Sequence, residues 1–414
     1  MAAPKRGATM LADAKHTQAH AGLSILQLRT KKTKIIAGHE TQSTTAATPL
    51  TKLLRPSFGG KPEVIEFAIY VKNFFGMQFR QNMFSLDVVL TLRWIDPRIS
   101  KLLPVGANRT TLSPTEAKGK MWLPDIIVVN RAIDGETEIS AAIDICRDGK
   151  VMKTQRIKLS AQQHFDVVAF PFDVQTPTIV LSSRTLMTQD LVMKAMDEKN
   201  LSGVRPGLFN NHEFHFVSKK MRVFEEVDAN LHKSRGELAI TLRRDWTRYL
   251  QTTILPEIFL ILISFTVFWM PRATPFAMPR VATNLISFLT LMTLSINTSK
   301  MLPSDRAGMA WIELFADSMQ MQNCLILFLN LFVDWVYNTM GLTDLGEKMT
   351  RELAGLFPLM GIGVVIMCFQ GRHGQNMEHS QTMIRLWMFG VQSTWIWYSI
   401  RRVREEKSKE EARP

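Results

Sequence analysis

Residues 250–300 read LQTTILPEIFLILISFTVFWM (250–270), PRATPFAMPR (271–280) and VATNLISFLTLMTLSINTSK (281–300), and this passage decides the fold. Crossing about 30 Å of hydrocarbon takes roughly 20 mostly apolar residues in a helix. The first segment supplies them, with an internal proline, Pro256, of a kind membrane helices tolerate. The second helix, expected over 280–300, carries Thr283, Asn284, Ser287, Thr290, Thr293, Ser295, Asn297 and Thr298. A spanning helix this polar does not face lipid on every side; it packs inside a bundle or lines water. Between the two, Arg272 and Arg280 in so short a loop mark it as cytoplasmic. The chain before residue 250 then lies outside.

Reading onward, a third helix is expected over 308–336. Two apolar runs follow, 353–369 and 383–400, and either one completes a fourth span with the other as an extra element. Arg401, Arg402 and Arg404 after the second run favour a cytoplasmic end, hence five spans. The membrane domain is therefore set at 249–370, with 371–414 as a C-terminal region of apolar run and charged tail. The net charge of +13 is spread over tails and short loops beside apolar runs, which fits positive-inside topology and not a nucleic-acid surface.

Reading back from residue 250, the pattern changes to β-type runs broken by turn residues. PEVIEFAIYVKNF, FSLDVVLTLRWID, TPTIVLSS, EFHFVS and GELAITLRR alternate as half-buried strands do, and define a β domain over 62–248. Many short strands argue a sandwich or a barrel, and periodicity does not separate the two. Residues 1–61 are basic, rich in Thr and Ala and without apolar periodicity, and are expected to be a disordered tail with no signal-peptide apolar run. Three cysteines, Cys146, Cys324 and Cys368, make no disulfide framework and no ligand cluster. His212 and His215 flank Glu213 without the spacing of a helical zinc site, so they are expected as polar residues near a strand. No phosphate loop, nucleophile elbow or metal triad is present, so no enzyme, cofactor or metal is expected.

Several segments in order resemble the pentameric ligand-gated (Cys-loop-type) ion channels, over roughly 62–370. They are LRWIDPRI (Trp94, Asp96, Pro97, Arg98), MWLPDIIVVN (Trp122, Pro124, Asp125, Asn130), AFPFDVQ (Phe170 to Asp173, then Gln175), LRRDWTRYL, and PRVATNLISFLTLMTLS followed by Pro303. The resemblance implies an immunoglobulin-like extracellular β-sandwich, then an all-α membrane bundle, in a homopentamer around a central pore. The family's namesake cysteines would fall at Gln163 and Pro177, so the likeness is to cysteine-free, mostly prokaryotic members. The loop between those positions is then held by packing and turn chemistry, without a covalent closure worth about 3 kcal/mol.

By the same resemblance the second helix lines the pore with Met278, Ala282, Ile286, Leu289, Thr293, Ile296 and Lys300. Ile286, Leu289 and Ile296 are the expected gate, apolar rings that close by dewetting. No Asp or Glu lies between Glu257 and Asp305, and Lys300 at the outer mouth leans the pore toward anions. Pro171, Asp173, Arg244 and Pro303 are implied at the junction that couples the two domains. The agonist positions become Val89, Val129 and Arg184; none is aromatic, which argues against an ammonium cage and leaves Arg184 to meet an acidic ligand. Expected partners are four further subunits, an unidentified small-molecule agonist or protons, permeant inorganic ions and the bilayer of a plasma membrane. The alternatives are a non-conducting receptor or scaffold, and a cation-selective, proton-gated channel of the same fold.

Overall fold

The computed structural model describes residues 54–196, 198, 201–209, 213–306, 308–373 and 377–412. The expected tail up to residue 53, and His212, lie outside the described residues. Among the described residues twelve strands form two sheets: β1 (Glu63–Gln78), β2 (Met83–Ile95), β3 (Arg109–Leu112), β4 (Ile126–Val128), β5 (Arg131–Cys146), β6 (Lys150–Gln162), β7 (Val174–Gln175), β8 (Thr178–Ser183), β9 (Leu191–Ala195), β10 (Gly203–Val204), β11 (Phe214–Asp228) and β12 (Leu231–Arg244). The seven-stranded sheet runs β10-β1-β2-β6-β5-β3 with β9 also on β1, and the five-stranded sheet runs β11-β12-β8-β4 with β7 on β12. The domain is thus a sandwich, the alternative that periodicity had left open.

The sandwich closes because both sheets turn apolar rows inward. Phe67, Leu86, Leu92 and Trp94 of the larger sheet face Ile179, Leu181, Leu238 and Ile240 of the smaller, all essentially inaccessible. Gly236 of β12 marks the closest approach, since a Cβ there would stand 2.5 Å from the Phe67 ring. Several strands are longer than the apolar runs that announced them. β11 has 15 residues, most of them exposed, and is held by its ladder to β12.

The sequence motifs act as ties. Asp96 caps the short 3-10 turn Pro97–Leu102, accepting from the Arg98 amide at 3.0 Å and its guanidinium at 2.8 Å. Asp125 accepts from Ser183 Oγ at 2.5 Å and from the Thr185 amide and hydroxyl at 2.9 and 2.6 Å, fixing the loop after β8. Asn130 donates to the Thr178 carbonyl at 2.8 Å and accepts from the Val180 amide, joining the end of β4 to β8.

β12 leads directly into the helices: α1 (Thr247–Phe268), α2 (Ala277–Ser299), α3 (Trp311–Thr339), α4 (Thr343–Gln370) and α5 (Met377–Glu411). The first four are long and apolar enough to cross a membrane, and the chain is an integral membrane protein. α4 begins ten residues before the expected 353, because the polar turn TDLGEKMTRE is good helix-forming sequence that continues beyond the apolar run. The run 383–400 lies within the single long helix α5.

Candidate functional site

The loop 163–173 between β6 and β7 faces the helices. Its ends are clipped together by Gln163, whose amide nitrogen donates to the Thr176 carbonyl at 2.8 Å. Its oxygen accepts from the Thr178 amide at 2.8 Å and hydroxyl at 3.0 Å. One side chain therefore grips both neighbours of Pro177. From β7, Gln175 donates back into the loop, to the Asp166 carbonyl and to Asp173, each at 2.6 Å. Gln163→Ala removes three hydrogen bonds of about 0.5–1.5 kcal/mol each. We expect the variant to fold but to be cleaved faster than wild type within 163–177 under limited proteolysis; unchanged protection would deny the clip its role.

At the centre of the junction stands Arg244, the last residue of β12, with a fully buried side chain. It donates to Asp173 Oδ1 at 2.7 Å and Oδ2 at 3.1 Å, a bidentate pair, and also to Glu213. The rings of Phe79, Phe170 and Phe214 surround it at 4.5, 4.6 and 4.6 Å, with Tyr249 at 5.8 Å. Tyr249 Oη in turn donates to Glu213 at 2.8 Å. Burial works against the guanidinium's charge, yet the hydrogen bonds and charge of Asp173, helped by Glu213, hold its pKa above the ordinary value. The site is a cation held by two carboxylates within an aromatic box.

Beyond Tyr249, itself a residue of α1, contacts at two places carry this core onto α3 and the loop before it. The Val168 carbonyl accepts from the Trp311 amide at 2.8 Å, and Phe172 packs edge-on against Trp311 at 4.8 Å. At the β1–β2 turn Asn82 adopts φ 51° and donates to both Asp305 oxygens at 3.0 and 2.9 Å. His164 approaches the same carboxylate at 3.8 Å. Asp305 belongs to the α2–α3 loop, where buried Pro303 gives its carbonyl to Arg306 at 2.7 Å. Arg306 also pairs with Glu313, which accepts from Ser299 at 2.9 Å and so ties the end of α2 to the start of α3. Pro171 is buried beside Phe170 and Phe172 in the same loop.

On α2 one stripe, Arg280, Asn284, Ser287, Leu291 and Thr298, is buried against the bundle. The opposite stripe of Met278, Ala282, Ile286, Leu289, Thr293, Ile296 and Lys300 is exposed. Thr290 and Thr293 return their hydroxyls to carbonyls of their own helix at 2.8 and 2.9 Å. Arg280 points into the protein and donates to Asn330 at 2.7 Å, and Arg272 is buried on Thr350 at 2.5 Å. Neither belongs to the exposed stripe, so Lys300 is its only cation.

Val129, in the turn after β4, and Arg184, exposed in the loop after β8, stand beside the five-stranded sheet, whereas Val89 is on β2 of the other sheet. One chain does not bring these three together. Reading the sequence did not single out Glu213, Phe79, Phe214 and Tyr249 as parts of the Arg244 box. They come from separate segments, and Glu213 was legible only as a polar residue near a strand.

A β-sandwich set on apolar helices through a loop of this kind defines a membrane receptor. The family described as the neurotransmitter-gated ion-channel ligand binding domain matches residues 41–246, about half of the chain. The γ-aminobutyric acid receptor subunit rho-2 of Bos taurus is 24% identical over 315 residues, 74% of this chain and 64% of the relative. Rho-1 of Homo sapiens is 25% identical over 254 residues (59% and 52%), and gamma-3 of Homo sapiens 26% over 271 residues (61% and 53%). The chain spans roughly half to two thirds of the length of these curated relatives. The chain belongs to the Cys-loop family of ligand-gated ion channels, a family of receptors and not of enzymes.

Proposed function

We propose that this chain is a subunit of a ligand-gated ion channel in which five copies surround a pore lined by α2, with the sandwich outside the plasma membrane. The observation that carries the reading is the division of α2: a buried polar stripe, and opposite it an exposed stripe of apolar residues ending in Lys300. An apolar stripe at 50–64% exposure (Ile296, Leu289, Ile286) has no partner within one chain, and five copies turned inward would give it one. Ile286, Leu289 and Ile296 then form rings that close the channel by dewetting. Met278, Ala282 and Thr293 line the rest.

The pore passes anions. With Arg272 and Arg280 turned into the bundle, five copies of Lys300 set the sign of the field at the outer mouth. The agonist is a small molecule bearing a carboxylate, met by Arg184 at a site shared with Val129 and, across a subunit boundary, Val89. The γ-aminobutyric acid for which those relatives are named is of that chemistry. Binding is transmitted through Pro171, Asp173 and Arg244 to Pro303 by the Asn82–Asp305 contact.

The test is a voltage-clamp recording of the expressed chain, with chloride replaced by gluconate and, separately, sodium by a bulky cation. A reversal potential that follows chloride, and that follows sodium in Lys300→Glu, is the expected result. Currents that ignore chloride in the native protein overturn the anion reading, and silence with pentamers verified at the surface overturns the channel.

A further inference from the structure

We propose that α5 is a fifth membrane-spanning helix, antiparallel to α4, which carries its own charged last third to the membrane face opposite the sandwich. Its contacts with α4 run in register along its length. A Cβ on Gly371 would lie 2.8 Å from the Ser380 hydroxyl, and one on Gly363 would lie 3.0 Å from the Trp387 indole nitrogen. Further along, Arg402 donates to both oxygens of Glu352 at 2.8 and 3.0 Å. As the position on α5 climbs from 380 through 387 to 402, its partner falls from 371, just past the end of α4, through 363 to 352 on α4. The paired length is 22 residues of α5 (402 − 380), which at 1.5 Å per residue is about 33 Å, the depth of a bilayer's hydrocarbon.

The surface of α5 fits that placement. Ile384, Met388, Gln392, Ser399 and Val403 form a stripe buried on the bundle. Most of the rest of its circumference between 383 and 400 is apolar and uncovered, with Leu386 at 64% and Trp397 at 65% exposure; Arg385, Ser393 and Thr394 are the polar exceptions. α4 leaves Leu359, Ile362 and Ile366 uncovered beside it. A patch this large facing water marks an interaction surface. Here its occupant is lipid, because α4, in register beside it, is itself of spanning length and composition.

α5 is less apolar than the other four helices because Arg385 interrupts it and its last third is charged. Arg385 has a counterpart. It lines a cavity of about 400 Å³ together with Asp317 of α3, an opposite charge at the same depth. Ionisable side chains inside a membrane are costly and face such partners or cavities. Below Ile400 come Arg401, Arg402 and Arg404, at the end of the bundle that also holds Arg272 and Arg280, which is the positive-inside arrangement.

The sidedness rests on the proposed orientation of the sandwich, so the experiment reads both. The full chain carries one epitope in the turn at Asp148, between β5 and β6, and another after Pro414, and antibody access is compared in intact and permeabilised cells. The first epitope is expected to be reached in intact cells and the second only after permeabilisation. Both reached, or both hidden, in intact cells would overturn the fifth span; the reverse pattern would overturn only the outward sandwich. As a second measurement, Trp397→Cys is exposed to a membrane-impermeant thiol reagent, with Cys146, Cys324 and Cys368 replaced by Ser. No labelling from either side is expected, and labelling from either side would place α5 in water and overturn the proposal.

Discussion

Arg244→Gln is expected to destabilise the sandwich by about 3–5 kcal/mol, because it leaves Asp173 buried as an unpaired carboxylate. For a domain of this size that corresponds to a fall in Tm of about 6–20 °C. The measurement is thermal unfolding of the detergent-solubilised protein alongside surface labelling of the expressed chain. A variant with wild-type Tm would show that the pair and its box contribute nothing. Arg244→Lys separates stability from signalling. It keeps a cation among the four rings but loses the bidentate geometry toward Asp173. If Arg244 couples the domains, the lysine variant reaches the surface and needs more agonist for half-maximal current. If it only glues them, the agonist requirement stays put. Exchanging the two charges, Asp173 for Arg and Arg244 for Asp, is not expected to rescue, since a carboxylate at 244 would face the negative faces of the aromatic rings.

Leu289→Ser carries the second large effect. Leu289 is 62% exposed on the stripe of α2 that faces away from the bundle. In a pentamer the substitution replaces five leucines by hydroxyls at one level of the pore. Each leucine taken out of water is worth about 1.5–3 kcal/mol. Were only a tenth of the five-fold total, about 0.75–1.5 kcal/mol, lost from the closed state, the resting open probability would rise about 4- to 12-fold, since 1.4 kcal/mol is a factor of ten. Recordings without agonist should therefore show a standing current in the mutant and none in the native channel. Equal resting currents, with equal surface expression, would remove Leu289 from the gate.

Much of the architecture was legible because membrane helices and half-buried strands write their periods directly into the sequence. α1, α2 and α3 begin and end within three residues of the apolar runs, whereas α4 starts ten residues earlier and α5 extends beyond 383–400 at both ends, because polar turns carry no apolar signal. β5 and β6 escaped notice for the same reason: in RAIDGETEISAAIDIC the outer face is polar and the inner row is short, so alternation is faint. Family resemblance brought Asp173 and Arg244 to the same junction, but nothing local announces the aromatic box. Phe79, Phe214 and Tyr249 meet Arg244 only because the β1–β2 turn, the start of β11 and the start of α1 converge at one end of the sandwich. Gln163 was read through what it is not, a cysteine, and its amide bridge to Thr176 and Thr178 depends on backbone geometry that spacing does not encode.

The clip at Gln163 also bears on where such a receptor can mature. A junction loop closed by a disulfide forms only where an oxidant supplies the bond, and it is exposed to reduction and reshuffling thereafter. A loop closed by an amide is indifferent to the thiol balance around it. Its closure asks nothing of thiol oxidases or disulfide isomerases, and persists unchanged across reducing and oxidising surroundings.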